Sequence, residues 1–104
     1  MKINIASNEI IHLIGIGGIG MSGLAQIMDN MGFIIQGSDL NKNKNIERLI
    51  KTGIKVYLGH NKKNLNKTTM VVISSAIKKY NKELIEAKNK KIPIFTRGEM
   101  LANI

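Results

Sequence analysis

The chain has 104 residues, 43% of them hydrophobic, no cysteine and a net charge of +9; this suffices for one domain with one core and excludes disulfides, thiolate metal sites and cysteine nucleophiles. The charge comes mostly from scattered lysines: arginine occurs only at Arg48 and Arg97, and the four aromatic residues do not interleave with a basic stripe, so no nucleic-acid partner is expected. No apolar stretch approaches the ~20 residues of a membrane span and the first residues lack the apolar core of a signal peptide, so a cytoplasmic protein with no membrane contact is expected.

In chain order, the β-branched run at residues 10–14 ends in glycines and reads as a buried strand. Residues 21–31 read as a helix whose apolar face is Leu24, Ile27, Met28 and Met31, stopped by Gly32. A second strand is expected at 33–37, a polar loop at 41–45, and a second amphipathic helix around Ile46, Leu49 and Ile50, ended by Gly53. A third strand follows at 54–58, and the connection 59–68 is short and only weakly helical. The remaining elements are a strand at 69–73, a helix at 81–89, a short strand at 92–95 and a helix from Arg97. Pro93 suits an edge strand or a strand's first residue. Strand and helix alternating in this way imply parallel pairing with right-handed crossovers: a Rossmann-like three-layer α/β domain with a five-stranded parallel sheet. The last residues read as the middle of a helix, as if the chain were cut from a longer one.

The first strand runs into Gly15-Ile16-Gly17-Gly18-Ile19-Gly20 and then into a helix. In that context the GxGxxG spacing is a diphosphate cradle. Gly15 permits the tight turn, Gly17 leaves room for a pyrophosphate, and Gly20 permits close packing of helix on strand. Free N–H groups and the positive end of the helix then face the anion. Asp39 stands about 20 residues beyond the loop, where a dinucleotide fold places the acid that holds the adenosine ribose. Spacing alone therefore points to NAD(H), as in an oxidoreductase or regulatory module. His60, Ser74, Ser75 and Arg97 follow the later strands and converge on the same sheet edge, where open α/β sheets bind ligands. No catalytic constellation and no metal-ligand cluster is expected, with Asp39 as the only acid near the crevice apart from Glu99. His12, in mid-strand, reads as a satisfied core histidine. No GxxxxGK[ST] loop for ATP is present.

Four blocks in order carry a resemblance over nearly the whole chain: the run from Ile11 to Ala25, then Gly37-Ser38-Asp39-Leu40, Ser74-Ser75-Ala76-Ile77 and Arg97-Gly98-Glu99-Met100-Leu101. They resemble the N-terminal domain of the Mur ligase family, with Gly98 where the family usually has alanine. Gly17 and Gly20 stand where the murein-recycling branch carries a cysteine and a bulky residue. The resemblance is therefore to the biosynthetic branch that joins L-alanine to UDP-N-acetylmuramate in peptidoglycan synthesis. It implies that Gly15, Ile16, Gly17, Gly18, Ile19, Gly20 and Met21 cradle the diphosphate, and that Ser38, Asp39, His60, Ser74, Ser75 and Arg97 face the uridine and diphosphate. It further implies that residues 1–104 are a single N-terminal domain that binds the UDP-sugar. ATP, Mg2+ and L-alanine then belong to central and C-terminal domains outside this chain, which alone is inactive.

Overall fold

A computed structural model describes residues 3–104. The elements are β1 (Ile10–Ile14), α1 (Ile19–Asn30), β2 (Ile34–Asp39), α2 (Lys44–Lys51), β3 (Lys55–Leu58), a 3₁₀ turn (Lys62–Leu65), β4 (Met70–Ile73), α3 (Lys82–Asn89), β5 (Ile94–Thr96) and α4 (Arg97–Ala102). The five strands form one sheet in the order β3-β2-β1-β4-β5, and every pairing is parallel. The fold class expected from the alternation of strands and helices is the one observed.

Because successive side chains of a strand point to opposite faces, β1 feeds both sides of the sheet. Ile11 and Leu13 join Met21, Leu24, Ala25, Met28, Leu49 and Met100 in the larger core, under α1, α2 and α4. Ile14 joins Leu65, Val71, Leu84 and Ala87 in a smaller core under α3 and the 3₁₀ turn. Removing each such large aliphatic side chain from water contributes roughly 1.5–3 kcal/mol.

The register of α1 differs from its expected face. Met21, Leu24, Ala25 and Met28 are buried, whereas Ile27 and Met31 are about half exposed. Both sets keep the i, i+3, i+4, i+7 spacing and share Leu24 and Met28; the observed stripe starts three residues earlier, which turns the buried face by about 60°. The strand β2 runs two residues further than expected, to Asp39, so Ser38 and Asp39 lie in the sheet rather than in a turn. In the stretch expected as a loop, Lys44 and Asn45 already belong to α2, because the Asn43 side chain accepts the Ile46 N–H and caps the helix. Pro93 immediately precedes the edge strand β5, its carbonyl accepting the Val71 N–H.

Candidate functional site

The strand order reverses at β1, which has β2 on one side and β4 on the other. Crevices at such switch points, outside the carboxyl ends of the strands, are where open α/β sheets bind ligands. The glycine loop leaves β1 at that point and the Ser74-Ser75 turn leaves β4 beside it.

Most loop amides are already committed within the chain. The Gly15 and Ile16 N–H groups both donate to the Ser38 carbonyl, and Gly18 N–H donates to Gly15 O. Gly17 N–H donates to Asp39 Oδ2 at 2.8 Å, while the side-chain amides of Asn43 and Asn45 both donate to Gly17 O at 3.1 Å. The Gly17 backbone is thus held on both its N–H and its C=O side. The first N–H groups of a helix have no intrahelical acceptor, and the α1 N-cap, Gly18, offers no side chain. The amides left to meet an anion are those of Ile19, Gly20 and Met21, at the positive end of α1. Gly18, Ile19 and Gly20 are exposed, whereas Ile16 and Met21 bury their side chains in the core and bring only backbone to the site.

Two glycines have purposes other than those their spacing suggests. A Cβ on Gly17 would lie 2.8 Å from both Asp39 Oδ2 and Ile46 Cδ1, so the missing side chain makes room for the chain itself rather than for a pyrophosphate. A Cβ on Gly20 would lie 2.9 Å from Arg97 Nε. That glycine admits the Arg97 side chain over the start of α1, rather than the close packing of helix on strand expected of it. Arg97 is held there by α4, whose first turn is a capping box in which Thr96 accepts Glu99 N–H and Glu99 accepts Thr96 N–H. Glu99 is therefore a capping residue and not an acid of the crevice.

Two clefts flank the glycine loop. One, of about 270 Å³, is lined by Ser74, Ser75, Ile77, Thr96 and Arg97. The other, of about 420 Å³, is lined by Leu40, His60, Ile77, Lys78, Tyr80 and Lys82. Leu40 and Tyr80 are 66% and 76% exposed there, a pair of apolar surfaces suited to a planar ring. The sequence marks both only as apolar residues in polar loops beside Asp39 and after β4.

The expectation that Asp39 and Glu99 are the only acids near the crevice is wrong, because Glu83 lies beneath it. This α3 residue is fully buried. Its Oε1 accepts from His12 Nε2 at 2.7 Å and from Ser38 Oγ at 2.5 Å. Its Oε2 accepts from the Asn61 N–H at 3.0 Å and from Asn64 Nδ2 at 2.6 Å. Burial alone would raise the carboxyl, but the hydrogen bonds from His12, Ser38 and Asn64 outweigh it and hold Glu83 at about 2. His12 is the satisfied core histidine expected, its Nδ1 accepting from Gln36 Nε2. Ser38 is fully buried, and its hydroxyl bridges Glu83 to His60 Nδ1 at 2.9 Å.

The all-parallel sheet, its switch-point crevice and the uncapped start of α1 define a Rossmann-like α/β domain. The chain belongs to the Mur ligase family: the family model described as "Mur ligase family, catalytic domain" matches residues 10–104. A UDP-N-acetylmuramate–L-alanine ligase of Pelagibacter ubique (strain HTCC1062) is 67% identical over 104 residues, which is 100% of this chain and 22% of that protein. One of Bartonella bacilliformis is 56% identical, covering 91% of this chain and 20% of the relative. Among solved structures, the UDP-N-acetylmuramate-alanine ligase of Thermotoga maritima superposes with a TM-score of 0.85 at 30% identity, covering 88% of this chain and 21% of that one. The UDP-N-acetylmuramate:L-alanyl-gamma-D-glutamyl-meso-diaminopimelate ligase of Neisseria meningitides also gives 0.85, at 31% identity, covering 90% and 30%. The chain thus spans about a fifth of the curated relatives' length. No helix among the described residues is long and apolar enough to cross a membrane.

Proposed function

We propose that this chain is the N-terminal domain of a UDP-N-acetylmuramate–L-alanine ligase and holds the UDP part of that sugar nucleotide. The observation that carries the reading is the unprotected start of α1 beneath the Arg97 side chain, set between the two clefts at the switch point. The diphosphate sits on the Ile19, Gly20 and Met21 amides, with Arg97, Ser74 and Ser75 on one flank. The nucleoside enters the cleft of Leu40, His60 and Tyr80. Gly15–Gly18, Ser38 and Asp39 hold this surface in shape from behind.

No segment of the chain has the GxxxxGK[ST] spacing that holds ATP and Mg2+, so the residues present do not fit that cofactor pair. In the full-length ligase, ATP, Mg2+ and L-alanine belong to other domains, and the reaction belongs to the cytoplasm, where the sugar nucleotide and ATP are available. The dinucleotide alternative is disfavoured by Asp39, whose carboxylate is turned back onto Gly17 N–H and Leu40 N–H rather than outward to a ribose.

Calorimetric titration of the purified chain with UDP-N-acetylmuramate, UDP and NAD(H) tests the reading. Binding of the first two without the third is expected. Binding of NAD(H) with no response to either uridine nucleotide would overturn it.

A further inference from the structure

The direction of every hydrogen bond around Glu83 can be read from its donors. Four of them converge on one carboxylate: His12 Nε2–H, Ser38 Oγ–H, Asn61 N–H and Asn64 Nδ2–H. A carboxylate has about four lone-pair sites and no hydrogen to give when ionised, so the group is saturated. Ser38 has a single hydroxyl hydrogen, and Glu83 takes it. The Ser38 oxygen can then only accept from His60 Nδ1, which stands 2.9 Å away. His12 is constrained in the opposite sense. The Gln36 amide nitrogen donates to Asn64 O at 2.8 Å, which fixes the amide's orientation, and the same nitrogen faces His12 Nδ1 at 2.8 Å. His12 Nδ1 therefore accepts, and Nε2 carries the hydrogen.

From this we infer that Glu83, acting through Ser38, is a positioning residue that holds neutral His60 as its Nδ1–H tautomer and turns the Nε2 lone pair into the Leu40–Tyr80 cleft. No buried side-chain nitrogen or oxygen among the described residues lacks a partner, and His60 Nε2 has none among those residues, so it opens to the cleft that His60 lines. An outward lone pair repels a phosphate oxygen and accepts from an N–H or O–H. The group that meets His60 is therefore a donor of the nucleoside, a base N–H or a ribose hydroxyl, and not the diphosphate. The tautomer stands on the chain's own hydrogen bonds; the identity of the donor rests on the nucleotide reading proposed above.

The test is a long-range 1H–15N correlation spectrum of the 15N-labelled, ligand-free chain at about pH 8, above the ordinary histidine range. The expected result is His60 with Nδ1 protonated and Nε2 bare, and His12 with the reverse pattern. A His60 ring protonated at Nε2 would overturn the assignment. Glu83→Gln replaces one acceptor oxygen by a donor, and His60 should then populate both neutral tautomers; an unchanged His60 pattern in the folded variant would remove Glu83's role. Should that variant not fold, the wild-type spectrum still decides.

The ligand half is read separately with His60→Ala. Affinity for UDP is expected to fall about tenfold, the size of one hydrogen bond, while shifts induced by inorganic pyrophosphate stay unchanged. Equal weakening for both probes would place His60 on the phosphates and overturn the donor assignment. Failure of the wild-type chain to bind UDP would sink the proposed function and the donor assignment with it, leaving the tautomer untouched.

Discussion

Glu83 is the residue on which most of the polar interior depends. Its carboxyl sits at about 2 in the folded chain, against an ordinary 4.5. A group whose folded value is depressed adds stability above its unfolded value and loses that contribution as the pH falls through the folded one. The chain should therefore hold a nearly constant unfolding free energy from neutral pH down to about 5. Between pH 4.5 and about 2 it should lose on the order of 3 kcal/mol to this group. Urea midpoints measured across that range check the slope, and an unchanged midpoint would contradict it. Nothing in the sequence singles Glu83 out. It stands second in a short helix, where acids commonly complement the helix dipole, and its burial arises only once Asn61 and Asn64 fold over the sheet's far side. His12, by contrast, was legible as an interior histidine, because an aliphatic run surrounds it on both sides.

At the scale of the elements, Gly17 and Gly20 of the loop make opposite predictions. Gly17→Val drives a side chain into Asp39 and Ile46, so it should cost about 1–3 kcal/mol of stability, as overpacking does. It should also loosen the clamp that Asn43 and Asn45 place on the loop. At Gly20→Ala the new methyl meets only the flexible end of Arg97, which can swing aside. Thermal unfolding should barely move, while UDP-sugar affinity drops about tenfold as the guanidinium leaves the anion. A loop whose stability responds to the second change and not the first would contradict both assignments. The glycine spacing and the strand-loop-helix context were plain in the sequence because they follow from short-range periodicity. What each absent Cβ makes room for was not, because Asp39, Ile46 and Arg97 come from three other elements. The rotated face of α1 escaped for a similar reason: two overlapping stripes satisfy one period, and only the sheet decides between them.

On the proposed function the whole chain anchors a substrate whose chemistry belongs to other domains, so the isolated chain should release no phosphate from ATP, with or without L-alanine. A phosphate-release assay that found such turnover would overturn this. The two faces of the sheet are also held by different forces. Under α1, α2 and α4 the core is apolar, whereas under α3 a small apolar cluster shares its side with an ionised carboxylate and two histidines. Acid therefore strikes one face only. On acidification, the amides of α3 and of the segment around Asn61 and Asn64 should lose hydrogen-exchange protection ahead of those in α1. The Leu40–Tyr80 cleft would then come apart while the start of α1 still holds its shape, so that, on the proposed function, the chain below pH 4.5 discriminates poorly among ligands that share a pyrophosphate.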